Sequence, residues 1–116
     1  MANNTLIELS LNFAVRILNI CDRIKGHYSL KNQLERSGTS IGANIREANY
    51  AQSRADFISK MQIALKECYE TEYWLELLYE TDYLDSQEFQ SIHADCQELL
   101  KILTAITKSQ KGRDEA

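Results

Sequence analysis

The chain has 116 residues, of which 44% are hydrophobic and 26% charged, with no proline, four glycines and a formal net charge of −4. That length holds one domain with one core, and that composition excludes a disordered chain and a β-rich one. No apolar run exceeds three residues, Phe13-Ala14-Val15 being one, so nothing here spans a membrane. The opening "MANNTLIELSL" has neither a basic leader region nor a small-residue cleavage site, which predicts no secretory signal and a cytoplasmic location.

The first helix is predicted from Thr5, which has capping-box spacing to Glu8, to Lys25, with Gly26 as the stop. Leu9, Phe13, Ile17, Ile20 and Ile24 recur at three- and four-residue steps and form one apolar stripe, while Ile7, Leu11, Ala14, Leu18 and Cys21 form a second beside it. Together they span a wider arc than one bundle core needs, which marks Leu11 and Leu18 as candidates for a subunit contact.

The second helix is predicted from about Ser29 to Ala51 or Gln52, with Leu30, Leu34, Ile41, Ile45 and Ala48 on one side. Its Gly38 and Gly42 raise a question, because glycine inside a helix costs about 1 kcal/mol relative to alanine. Either another backbone comes close along that face, with Thr39, Ser40 and Asn44 satisfying polar atoms at the contact, or the helix breaks at Gly38.

Ser53 with Asp56 has capping spacing and opens a third helix from Arg54 to Glu80, carried by Phe57, Met61, Ala64, Leu65, Cys68, Leu75 and Leu78. Thr81 to Leu84 is the turn. Asp85 with Glu88 opens a fourth helix through Phe89, Ile92, Cys96, Leu99, Leu103 and Ile106, ending near Gly112. Short connections between long helices force antiparallel neighbours, so the predicted fold is all-α: an up-down-up-down four-helix bundle, one domain over residues 1–116 with an ordered core of about residues 5–111.

Cys21, Cys68 and Cys96 are odd in number and lack a C-x-x-C pair, which argues against both a disulfide framework and a zinc site, and no metal site is expected. Each lies on an apolar stripe and is expected as a buried thiol in a reducing compartment.

The stretches "RSGTSIGANIREA" and "SRADFISKMQIALKECYETEYWLELL" resemble the four-helix bundle proteins of the 23S rRNA intervening-sequence family. The family pattern S-I-x-x-N-I-x-E is supplied by Ser40, Ile41, Asn44, Ile45 and Glu47, and a later small-residue and Glu-rich pattern by Ala64, Glu67, Glu70 and Glu72. The resemblance spans about Leu11 to Leu103. It implies an antiparallel bundle, assembly with itself as a homopentamer, and for most members no assigned activity. A related branch, the accessory proteins of diversity-generating retroelements, works with a reverse transcriptase and binds nucleic acid through a basic surface. This chain departs from that branch in its charge, with a pI near 5.2.

That charge is unevenly spread: residues 1–66 carry +4, residues 67–98 carry ten acids and no Lys or Arg, and residues 99–116 carry +2. In a bundle of alternating direction, one end is predicted to be acidic through Glu70, Glu72, Glu76, Glu80, Asp82, Asp85 and Glu88. The other gathers Arg46, Arg54, Lys60, Lys108, Lys111 and Arg113. The basic end is either a contact for nucleic-acid phosphates, with Arg46, Arg54 and Lys60 as candidates, or an ordinary solvated surface. Tyr73 and Trp74, interleaved with Glu and not with Lys or Arg, are candidates for a subunit or protein-partner contact, or for ordinary core packing.

Catalytic, cofactor and metal motifs are absent from the sequence: no paired Glu-x-x-His, no phosphate loop, no dinucleotide fingerprint. Neither a cofactor nor a small-molecule substrate is expected. Glu47 with Glu67 or Glu70 is the one carboxylate grouping worth attention. Its economical role, shared with Ser40 and Asn44, is interhelical hydrogen bonding that fixes register, with Arg36 or Arg46 neutralising the acid.

Overall fold

A computed structural model describes the backbone of residues 4–115 and the side chains of residues 4–108. It contains four helices, α1 (Asn4–Arg23), α2 (Tyr28–Asn49), α3 (Arg54–Glu80) and α4 (Ser86–Glu115). Two predicted starts hold in atomic detail. Ser53 is extended and its Oγ accepts from the Asp56 amide at 3.1 Å, while Asp85 Oδ1 accepts from the Glu88 amide at 2.8 Å.

Four boundaries differ from expectation, the first being α2, which stops at Asn49 and not at Ala51 or Gln52. Thr5 already lies inside α1, and a capping residue must be non-helical, so a Thr5–Glu8 box does not start that helix. α1 stops at Arg23, before Lys25, because Gly26 (φ +81°) and His27 (φ 50°) are both left-handed and reverse the chain. The Lys31 ammonium then donates to the Ile24 carbonyl at 2.8 Å, supplying a partner that the ended helix cannot. At the other extreme, α4 continues past Gly112 to Glu115.

The contacts between helices give their directions. Ile17 and Ser10 of α1 face Gly38 and Gly42 of α2, so one number falls as the other rises. Arg36 meets Glu70 and Glu47 meets Lys60 across α2 and α3, Glu72 meets His93 across α3 and α4, and Arg16 and Arg23 meet Asp95 and Glu88 across α1 and α4. Every neighbouring pair is therefore antiparallel, and the helices close in the order α1, α2, α3, α4 around one core. α4, 30 residues long, spans ~45 Å at 1.5 Å per residue, in keeping with the bundle's longest dimension of 48 Å.

The core is the set of stripes expected from the sequence. Phe13, Ile17, Leu34, Ile41, Ile45, Met61, Leu75, Leu78, Ile92, Leu99 and Leu103 are all sealed from solvent. Each such side chain contributes about 1.5–3 kcal/mol on leaving water. Leu6, Leu84 and Leu100 join them, having been missed by the periodic reading.

The glycine question is also answered. α2 is unbroken through Gly38, and the backbone brought close is that of α1 in the same chain. A β-carbon on Gly38 would sit 2.8 Å from Ile17 Cγ2, and one on Gly42 would sit 3.3 Å from Ser10 Oγ.

Candidate functional site

α1 carries the most prominent surface. Its first stripe is buried from Phe13 to Ile24, with Leu9 half-buried, and Cys21 of the second closes against α2, its Sγ 3.8 Å from the Lys31 carbonyl. Ile7 and Ala14 are half-buried. Leu11 and Leu18, predicted as contact candidates, are 50% and 40% exposed, and Val15 between them is 49% exposed. Positions 11, 15 and 18 follow the four- and three-residue steps of one helix face, so the three side chains form a continuous apolar strip in water. Val15 was absent from the predicted set although it stands four residues after Leu11 and three before Leu18.

The motif residues on α2 work within the protomer. Asn44 Nδ2 donates to the Ser40 carbonyl at 2.9 Å and lies 3.1 Å from Ser40 Oγ, so both bond along their own helix and not across to another. Glu47 does cross to α3, but to Lys60 at 3.2 Å, and it does not meet Glu67 or Glu70. Those two lie opposite Arg36, whose guanidinium is 3.7 Å from Glu67 Oε2 and bonds Glu70 Oε1 at 2.7 Å. Eleven residues of α2 separate Arg36 from Glu47, about 16 Å along the axis, which keeps the carboxylates apart. Glu67 Oε2 is buried with no hydrogen bond, leaving the Arg36 charge as its compensation.

The buried hydrogen bond between α2 and α3 lies elsewhere. Thr71 Oγ1 of α3 donates to Ser37 Oγ of α2 at 2.9 Å, and both residues are fully buried. A small hydroxyl three residues ahead of Ser40, on the apolar side of the helix, was the available signal.

Arg46, Arg54 and Lys60 do share one end of the bundle, where α2 finishes and α3 begins, and Lys108 is exposed near the end of the described part of α4. Lys60 is engaged by Glu47 there. Lys111 and Arg113, predicted for the same end, lie outside the described side chains. The acidic end is less one-sided than expected, since Arg23 of α1 reaches Glu88 and Arg16 reaches Asp95 at 2.6 Å. His27 and Tyr83 bond at 2.6 Å and join the two connections at that end.

Tyr73 is 57% exposed, whereas Trp74 is half-buried with its indole nitrogen donating to Glu70 Oε1 at 3.4 Å. Their rings meet edge to face at 5.1 Å.

All three cysteines are buried and free. Cys68 and Cys96 face each other between α3 and α4 with sulfurs 3.8 Å apart. The hydrogen bond with Cys68 and burial both push the Cys96 thiol far above the ordinary range. Burial, reinforced by Glu35, pushes the Cys21 thiol up to about 11. Reactive cysteines are exposed and have lowered values, the opposite of both features in these two thiols. Among the described residues no helix is long and apolar enough to cross a membrane.

The class of protein this defines is the all-α four-helix bundle. The chain belongs to the 23S rRNA-intervening sequence protein family, which it matches over residues 2–105. Among solved structures it is similar to a protein with unknown function from the S23 ribosomal protein family of Bacteroides thetaiotaomicron VPI-5482. The two are 51% identical, the match covers 93% of this chain and 99% of that one, and the TM-score is 0.87. No curated protein matches the chain.

Proposed function

We propose that this protein is a non-enzymatic, cytoplasmic, homo-oligomeric scaffold, assembled through the outer face of α1 and acting through partners. The observation that carries the reading is the exposed Leu11, Val15 and Leu18 strip. Monomeric soluble proteins rarely leave large contiguous apolar patches in water, and a bundle whose core is already sealed has no internal use for a further strip. Five copies in a ring is the arrangement the family resemblance implies. The exposed Tyr73 is a place for a protein partner on the opposite flank.

A second reading is an accessory protein that binds nucleic acid, or works with a reverse transcriptase, through Arg46, Arg54 and Lys60. Their placement at one end favours it, because a ring of parallel copies would sum that charge on one face. Light scattering after size exclusion, with and without a short structured RNA, tests both. A monomer at micromolar concentration would overturn the scaffold. An oligomer that co-elutes with RNA only at low salt would favour the accessory reading, since phosphate contacts weaken steeply as salt rises.

A further inference from the structure

We propose that Glu72 and Glu76 of α3, with His93 of α4, form a binding site for a divalent transition-metal ion of the zinc type. The two glutamates are four residues apart and share a helix face, and α4 runs antiparallel beside it, which brings His93 opposite them. One ligand atom from each of the three lies within 4.8 Å of the others. His93 Nε2 and Glu72 Oε2 are 3.1 Å apart. Zinc bonds of about 2.0–2.2 Å in a tetrahedron place neighbouring ligand atoms roughly 3.3–3.5 Å apart. The first edge of such a site is therefore already near its final length, and Glu76, exposed and mobile about its own side-chain bonds, supplies the third ligand by rotation.

Two further observations point the same way. The His93 ring is held by a stack of aromatic rings: it lies 5.0 Å from Phe89 at 22°, and Phe89 lies 4.4 Å from Tyr79 at 8°. An imidazole fixed by packing loses little freedom on taking a metal. Glu76 has no hydrogen-bond or ion-pair partner among the described residues, and it stands beside a second carboxylate in a segment of ten acids with no Lys or Arg. A divalent ion would remove that like-charge repulsion.

The donor set selects the ion. One imidazole and two carboxylates suit zinc and its neighbours, whereas calcium needs six to eight oxygens and magnesium demands octahedral oxygen geometry. Three protein ligands also leave a fourth position open to water. The sequence did not reveal the cluster because its histidine lies on a different helix from its glutamates, seventeen residues past Glu76.

The test is calorimetric titration of Zn2+ into the chelator-treated full chain, alongside His93→Gln, Glu76→Gln and His27→Ala. Far-ultraviolet circular dichroism verifies that each variant is folded. The expected result is one equivalent bound with a dissociation constant on the order of micromolar. It should weaken at least about ten-fold in His93→Gln and in Glu76→Gln, with His27→Ala unchanged. Co2+ in place of Zn2+ should show absorption from nitrogen and oxygen ligands with no thiolate charge-transfer band. Absence of binding in the unaltered protein, binding that survives His93→Gln, or a thiolate band would each overturn the proposal.

Discussion

A missing β-carbon has different consequences at two places four residues apart. At Gly38 an added methyl would meet Ile17, a fully buried β-branched side chain, at 2.8 Å from Cγ2 and 3.3 Å from Cβ. That root has no freedom to swing away. Replacing Gly38 by alanine gains about 1 kcal/mol of helix propensity and loses about 1–3 kcal/mol to overpacking, so the variant should be less stable by about 1 kcal/mol in urea unfolding. At Gly42 the nearest atom is Ser10 Oγ at 3.3 Å, and a shift of a few tenths of an ångström relieves it. Gly42→Ala should stay within about 0.5 kcal/mol of the parent. The reverse order would mean that α1 does not approach α2 as described. A second residue ties stability to pH. The Cys21 thiol, raised by burial from 9.0 to about 11, stays protonated in the folded protein while the unfolded chain ionises above 9. Its contribution is complete below pH 9 and is lost as pH climbs toward 11. Melting temperatures compared at pH 8 and pH 10.5 should therefore fall more for the parent than for Cys21→Ala.

At the level of the helices, α3 owes its start to one hydroxyl. Ser53 Oγ accepts from the Asp56 amide, and removing it in Ser53→Ala should cost about 1 kcal/mol, read as a lower urea midpoint with an unchanged slope. That start and the Asp85 cap of α4 were legible in the sequence because the bonds close within three residues. The core stripes were legible for a similar reason, since α-helical periodicity alone places Phe13, Ile17, Ile41 and Leu99 on inward faces. What needed the register between helices was not legible. Whether Glu47 faces Lys60 or Glu67 depends on how residues 50–53 set α2 against α3, and no local pattern records that. The end of α1 escaped prediction because His27 shares the left-handed turn with Gly26, a conformation uncommon outside glycine. The exposed strip was half legible: Leu11 and Leu18 declared themselves through excess apolar width, whereas Val15 did not.

For the whole molecule, the sealed core and the open strip of α1 make separate demands. Leu11→Glu with Leu18→Glu touches only exposed positions, so the protomer should keep its helicity and its unfolding midpoint to within about 0.5 kcal/mol. Its mass in light scattering should drop from that of an oligomer to about 13.4 kDa, the mass of one chain. An oligomer that survives both charges would place the subunit contact elsewhere. The close packing of α1 on α2 acquires a further meaning here. Gly38 and Gly42 decide how near α1 lies to its neighbour, and so decide the direction in which Leu11, Val15 and Leu18 face outward. In the proposed ring that direction would set the angle between successive protomers, and with it the subunit number. If the proposed ring forms, two internal positions with no side chain would act as the hinge pin of its curvature, and variation there would change ring size without altering a single contact residue.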